Sequence, residues 1–310
     1  MRIIKETHIK FMSQRRASFI LSMFLIFSGI GSLVINHGPK LSIDFQGGTL
    51  IAVQFTQPMG ITQIRSALDA VSIDGKVFDL SREEIKHFGE KTNVAIRLTP
   101  QENEGNQFIQ SVITHLSDSF PNLIPEDSKD FILTIEKVGP KIGAELSGKA
   151  VMAIGSALLL ILLYISIRFE FIFALGAIVA LLHDVLITLG IFSILDYEIS
   201  LSIIAAFLTI VGYSLNDTII FFDRIRENVK SNKRASYIDI VDKSINQSIS
   251  RTIITSLTTF LVVFILWAFG GEVIHLFAFA MMVGVIIGTY SSIYVASPLV
   301  VLLHSGKQNK

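Results

Sequence analysis

Apolar residues gather into six long runs, at 17–36, 149–167, 171–195, 199–222, 252–270 and 273–303. A helix that crosses a bilayer needs about 20 mostly apolar residues, so each run is predicted to span one. The last is long enough to include an interfacial piece. Only Arg168, Phe169 and Glu170 separate the second and third runs, which predicts a tight membrane hairpin. Between the first and second runs the periodicity changes. Thr49–Thr56 alternates as a strand, and Ile61–Val71 has helical spacing behind a capping Thr62. Lys76–Leu80 and Asn93–Leu98 read as strands. Gln107–Phe120 reads as a helix with an apolar stripe of Phe108, Ile109, Val112, Ile113 and Leu116, and Phe131–Val138 alternates again. The order βαββαβ is that of a ferredoxin-like domain. The expected fold is therefore an α-helical polytopic membrane protein with six transmembrane helices and an α+β ferredoxin-like extracytoplasmic domain.

Composition strengthens this picture. The chain is 51% hydrophobic and 17% charged, whereas soluble domains carry about 25% charge. The formal net charge is zero, which excludes a strongly basic nucleic-acid binder. Cysteine is absent, so disulfides, thiolate catalysis and cysteine metal sites are excluded and the redox compartment stays undecided. The first run exceeds the 7–15 apolar residues of a secretory signal, and Val34-Ile35-Asn36 is a poor cleavage site. It is expected to remain as a transmembrane helix.

Short loops rich in Lys and Arg face the cytoplasm. Residues 1–16 carry Arg2, Lys5, Lys10, Arg15 and Arg16, and 223–251 carries seven such residues. Lys307 and Lys310 lie in the tail 304–310, whereas Asp196–Glu198 and Gly270–Glu272 contain none. Both termini and the loop 223–251 are thus expected in the cytoplasm, with 37–148 outside.

Ionisable residues within the runs carry the candidate chemistry, because a charge at membrane depth costs at least about 2.5–3.5 kcal/mol. Asp217 lies in the fourth run, with Ser214 and Tyr213 three and four residues before it on the same helix side. Both are expected to support the acid. Arg251 opens the fifth run, and Thr255 and Thr258 continue its face. An Asp217–Arg251 pair would hold the carboxylate charged, and protonation would release it. Asp184 lies near the middle of the third run beside His183, and the one-residue spacing argues against a pair between them. Gly284, Gly288 and Ser292 form a small-residue stripe suited to helix packing. Phosphate-binding loops, clustered metal ligands and a nucleophile elbow are missing from the sequence, so an enzyme is not expected and no cofactor is implied.

Several blocks, in order from residue 44 onward, resemble those of the SecD/SecF family of protein-export membrane subunits within the RND superfamily. Asp44-Phe45-Gln46-Gly47-Gly48-Thr49 is similar to the family's DFxGGT segment, and Val138-Gly139-Pro140-Lys141-Ile142-Gly143-Ala144-Glu145-Leu146 to its VGPxxGxEL segment. Arg168-Phe169-Glu170 and His183-Asp184-Val185 match the following helices. The longest match runs from Val211 through Tyr213, Ser214, Asn216 and Asp217 to Asn228, and Arg251-Thr252 opens the fifth run as in the family. The short outer domain favours the SecF side. The resemblance implies an RND-like six-helix half that pairs with SecD in a bacterial cytoplasmic membrane. It further implies work alongside the SecYEG channel, the motor SecA and the accessory YajC, with proton flow driving late steps of preprotein translocation. Functional charges stand in the family at the positions of Asp217 and Arg251. A small-molecule efflux subunit of RND type and a passive translocon scaffold are the rival readings.

Overall fold

The computed structural model describes residues 7–73, 75–100, 106–125, 127–232 and 234–308. Arg2, Lys5, Lys233 and Lys310 of the charge argument lie outside these. The chain forms two compact units, Leu41–Lys149 and the combination of Met1–Lys40 with Ala150–Lys310.

In the smaller unit a short helix α2 (Ile43–Gln46) leads into β1 (Gly48–Gln54). There follow α3 (Ile61–Ala67), β2 (Val71–Ile73), β3 (Lys76–Phe78), β4 (Glu84–Phe88), β5 (Glu90–Leu98), α4 (Asn106–Ser119), α5 (Ser128–Phe131) and β6 (Ile132–Val138). The main sheet has the order β4-β5-β1-β6, with every neighbouring pair antiparallel. One predicted strand is misplaced. Lys76–Phe78 pairs only with β2, in a separate hairpin, and the sheet strand is Glu84–Phe88. The charges of β4 hid it in the sequence. Glu84 bonds Lys86 at 2.6 Å and Arg97 at 3.4 Å, as suits an edge strand that must resist pairing with another chain.

The core of this unit is built from Ile51 and Val53 of β1, Val94, Ile96 and Leu98 of β5, and Ile64 of α3. The predicted stripe of α4, from Phe108 to Leu116, is buried against them. Phe55 meets the edges of Phe120 and Phe131 at 5.8 and 5.6 Å. His115 Nε2 meets the Ala67 carbonyl at 2.8 Å, tying α4 to α3.

The larger unit contains α1 (Arg15–Ile35), most of α6 (Pro140–Arg168), α7 (Phe171–Ile194), α8 (Leu201–Ser231), α9 (Tyr237–Phe269), α10 (Glu272–Ser291) and α11 (Ser297–Gln308). A π-helical turn at Ser292–Ala296 joins the last two, with Ser297 Oγ donating back to the Ser292 carbonyl at 2.9 Å. Six segments are long and apolar enough to cross a membrane. They match the six predicted runs, but α6, α8 and α9 extend well beyond them. α8 has 31 residues and α9 has 33, about 45–50 Å at ~1.5 Å per residue, against a hydrocarbon core of about 30 Å. The predicted loop 223–251 is therefore almost entirely helical. Its polar surface concealed the helices, yet Ile225, Val241 and Ile245 remain buried. Asn228 Nδ2 donates to Ser244 Oγ at 2.9 Å and to Gln247 Oε1 at 2.8 Å, so α8 and α9 pack on past the apolar zone.

Among the candidate spans α7 is the most enclosed, packed against α1, α8 and α10. Phe169, Phe173 and Phe222 interlock, the last two with centroids 4.9 Å apart. α6 instead exposes Val151, Met152, Leu160 and Ile167.

Candidate functional site

Asp217 is fully buried on α8, on the face that also buries Ile210, Ser214 and Phe221. Ser256 of α9 donates to Asp217 Oδ2 at 3.4 Å, and Ser256 Oγ lies 2.7 Å from Thr289 Oγ1 of α10. Among the described residues Asp217 Oδ1 has no hydrogen-bond partner, and neither do the buried hydroxyls of Thr252 and Tyr213. A buried carboxylate with an oxygen left unfilled is costly while charged and much less so once protonated. The chemistry offered at this point is therefore proton uptake and release.

The expected pair of Asp217 with Arg251 does not form. Arg251 is exposed and lines a cavity of about 210 Å³ with Ile220, Asp223, Arg224, Glu227, Gln247 and Ser248. Helix geometry gives the reason. The buried face of α9 passes through Thr252 and Ser256, four residues apart. Arg251 is turned by about 100° from Thr252 and lies roughly 7.5 Å along the axis from Ser256. The stripe Arg251–Thr255–Thr258 chosen from sequence is one residue out of phase. Thr255 Oγ1 donates to the Arg251 carbonyl at 3.1 Å and Thr258 Oγ1 to the Ile254 carbonyl at 2.9 Å, so both hydroxyls satisfy their own helix.

The helix-face partners are also redistributed. Asn216 is exposed and Tyr213 is half-buried. Ser214 donates to Asp184 Oδ2 at 2.6 Å rather than to Asp217. Asp184 is fully buried and receives a second hydroxyl, Ser291 Oγ, at 2.8 Å. His183 Nδ1 lies 2.9 Å from Asp184 Oδ1, which corrects the expectation that neighbours on one helix cannot pair. The i,i+1 argument concerns side chains extended from the helix, whereas this imidazole and carboxylate fold together between three other helices. On its far side His183 Nε2 lies 2.9 Å from Ser22 Oγ of α1. Ser22 Oγ is 3.1 Å from the Tyr290 hydroxyl, which donates to the Ser18 carbonyl at 2.7 Å. Nothing in the sequence points to Ser22, Tyr290, Ser291, Ser256 and Thr289. Hydroxyls scattered over three spans, α1, α9 and α10, show no pattern until the helices are assembled.

Small residues make these approaches possible. A Cβ on Gly288 would stand 2.9 Å from Ser214 Cβ, and one on Gly284 would run into Ile210 Cγ1, so the stripe on α10 is a packing surface against α8. Gly29 and Gly190 serve α1 and α7 in the same way, a crossing the sequence did not reveal.

In the smaller unit, Ser42 Oγ accepts from the Asp44 amide at 3.2 Å and starts α2, and Phe45 is buried. Gly47 and Gly48 have φ of 77° and 121°, which L side chains rarely adopt. A Cβ on Gly143 would meet the Phe45 carbonyl at 2.9 Å and the Gly47 amide at 3.0 Å. Gly143 thus lets the first turn of α6 lie directly on the Gly47 backbone. Pro140 opens α6 at its first position, where its missing N–H goes unneeded, and Gly139 has open space around it.

Comparison with known proteins identifies these landmarks. The SecD/SecF C-terminal family of protein export membrane proteins matches residues 124–306, and the SecD/SecF GG motif matches 32–59. The chain belongs to the SecD/SecF family. It is 42% identical to the protein translocase subunit SecF of Calditerrivibrio nitroreducens, over 98% of this chain and 96% of that one. The SecF of Rhodothermus marinus is 44% identical over 98% and 96%. Among solved structures, SecDF of Thermus thermophilus, described as a translocon-associated membrane protein, superposes with a TM-score of 0.83 at 37% identity. That match covers 97% of this chain and 39% of the SecDF chain. A second SecDF structure, in a super-membrane-facing form, gives a TM-score of 0.70 at 36% identity and is covered to 40%. The GG-motif match includes Asp44, Gly47 and Gly48, and the C-terminal match includes Asp184, Asp217 and Arg251.

Proposed function

We propose that this chain is a SecF-type subunit of the Sec protein translocase, a transport component rather than an enzyme. It works with a SecD-type partner and uses the proton motive force in late steps of preprotein translocation. The observation that carries the proposal is Asp217, a fully buried carboxylate inside a membrane span with one oxygen unpartnered among the described residues. A proton taken up there neutralises the buried charge and changes what α8 can pack against on α9 and α10. One charge crossing the membrane supplies roughly 2.3 kcal/mol per 100 mV, enough to shift a two-state equilibrium more than tenfold. Asp184 is the second candidate for proton coupling.

In this reading the chain lies in the bacterial cytoplasmic membrane with both termini inside and residues 37–148 outside. The outer unit is a ferredoxin-like domain, supported by the antiparallel order β4-β5-β1-β6 over α3 and α4, and it meets preprotein or partner. Gly47, Gly48 and Gly143 set the exit and return of the chain between membrane and outer unit. SecYEG, SecA and YajC are further partners by family membership, and Arg251 acts at the cytoplasmic surface rather than as the counter-ion of Asp217. The reading is tested in membrane vesicles depleted of the chain. Gradient-stimulated preprotein translocation should be lost and return when this chain is supplied with its SecD. Stimulation that persists without the chain would refute it.

A further inference from the structure

The buried cluster around His183 carries more than its distances. Each hydrogen of a hydroxyl can be donated once, and a backbone carbonyl only accepts. The Tyr290 hydroxyl meets the Ser18 carbonyl at 2.7 Å, so its single hydrogen is committed there. The 3.1 Å contact between Ser22 Oγ and the Tyr290 oxygen must then use the Ser22 hydrogen. Ser22, having donated, can only accept from His183 Nε2 at 2.9 Å. Nε2 therefore carries a hydrogen. On the other side of the ring, the 2.9 Å contact of Nδ1 with Asp184 Oδ1 also needs a hydrogen between them. Asp184 Oδ2 meanwhile accepts from Ser214 and Ser291. The hydrogen positions are thus assigned from the network of contacts.

The count gives one proton more than a neutral imidazole beside a carboxylate would hold. We propose that His183 and Asp184 together hold one proton as an electrically neutral pair, a second proton site in the membrane unit, distinct from Asp217. The proton sits either on Nδ1, as imidazolium beside carboxylate, or on Oδ1, as imidazole beside carboxylic acid. Both forms avoid a net charge in a site where Asp184 is fully buried and His183 is only 4% exposed. The residues facing the pair are Ser22 from α1, Ser214 from α8, and Tyr290 and Ser291 from α10. Tyr290 is the only titratable group among them. Asp217, on α8, is bonded instead to Ser256.

Loss of the proton to water would leave a neutral imidazole donating Nδ1–H to the carboxylate. Ser22 must then turn to donate to the bare Nε2 and release Tyr290. Proton occupancy of the pair is in this way linked to the contact between α1 and α10. This deepens the proton-coupling reading given above and rests on it.

The test uses the full chain labelled with 15N-histidine in lipid vesicles, with ring-nitrogen protonation read by solid-state NMR at neutral pH. A variant retaining His183 as its only histidine assigns the signals. If that variant does not fold, their loss in His183→Gln assigns them instead. The result expected is a hydrogen on His183 Nε2, retained in Asp184→Asn, where the amide donates to Nδ1. A bare Nε2 with its hydrogen on Nδ1 alone would overturn the proposal. Because the readout does not involve translocation, a protonated Nε2 in a chain whose export ignores the gradient would count against the proposed function while leaving the proton site intact.

Discussion

The crossing of α1 over α7 sets two glycine backbones against each other and permits a quantitative test. An added Cβ on Gly190 would lie 2.6 Å from Gly29 Cα, and one on Gly29 would lie 2.7 Å from Gly190 Cα. Carbon atoms prefer about 3.5–4.0 Å, so Gly190→Ala forces the helices roughly 1 Å apart. Both obstructing atoms are backbone, and no rotamer change relieves them. The separation also strains the polar links along the seam, Ser32 Oγ to Ser193 Oγ at 2.8 Å, Asn36 Nδ2 to the Ser193 carbonyl at 3.1 Å and His183 to Ser22. Overpacking of this kind costs about 1–3 kcal/mol, a shift of roughly 5- to 150-fold in the docking equilibrium of α1. The absence of native cysteine supplies the assay. Ser32→Cys with Ser193→Cys should form a disulfide rapidly in the parent chain and far more slowly once Gly190→Ala is added. Gly31→Ala is the control, since nothing among the described residues lies within 4 Å of a Cβ there. Equal cross-linking in Gly190→Ala and Gly31→Ala would refute the packing argument.

Two further outcomes are expected in the smaller unit. Gly143→Val places a branched side chain against the Phe45 carbonyl and the Gly47 amide, and should destabilise this unit by about 1–3 kcal/mol, read as faster proteolysis of residues 41–149 in the full chain. Asp79 is held below the ordinary carboxylate range chiefly by its hydrogen bonds to Ser81. A depressed carboxylate lends stability above its unfolded pKa and loses it as pH falls through its folded one. The turn at 79–81 should therefore loosen on acidification below about pH 4. In Ser81→Ala an NMR titration should show the Asp79 midpoint moving upward, and an unmoved midpoint would contradict the assignment.

The membrane spans were legible because a run of about twenty apolar residues suits a bilayer-crossing helix better than any other element. Their ends were not, because α8 and α9 run past the apolar zone on polar residues such as Asn228, Ser244 and Gln247. Within the spans, a lone acid such as Asp217 announces itself by its cost, and its burial followed. Its neighbours could not be read with the same ease. Periodicity places Ser214 on the side of α8 that also carries Asp217, but only the assembled helices show that its hydroxyl reaches Asp184. On α9 the choice between the faces of Arg251 and Thr252 depends on one residue of phase, which sequence alone does not fix. Gly29 and Gly190 lie far apart in the chain and in different spans, so their meeting is a property of the tertiary structure. In the smaller unit, the charges that protect the edge strand β4 also masked its alternation.

The most direct test of the account is gradient-driven preprotein translocation into vesicles containing this chain and its SecD, compared between the parent and Asp217→Asn. The amide keeps the size of the carboxyl group but cannot exchange a proton. The account expects the gradient to accelerate the parent and not the variant, while translocation without a gradient is the same in both. An equal response to the gradient would show that Asp217 only packs α8 against its neighbours, and would contradict the central claim.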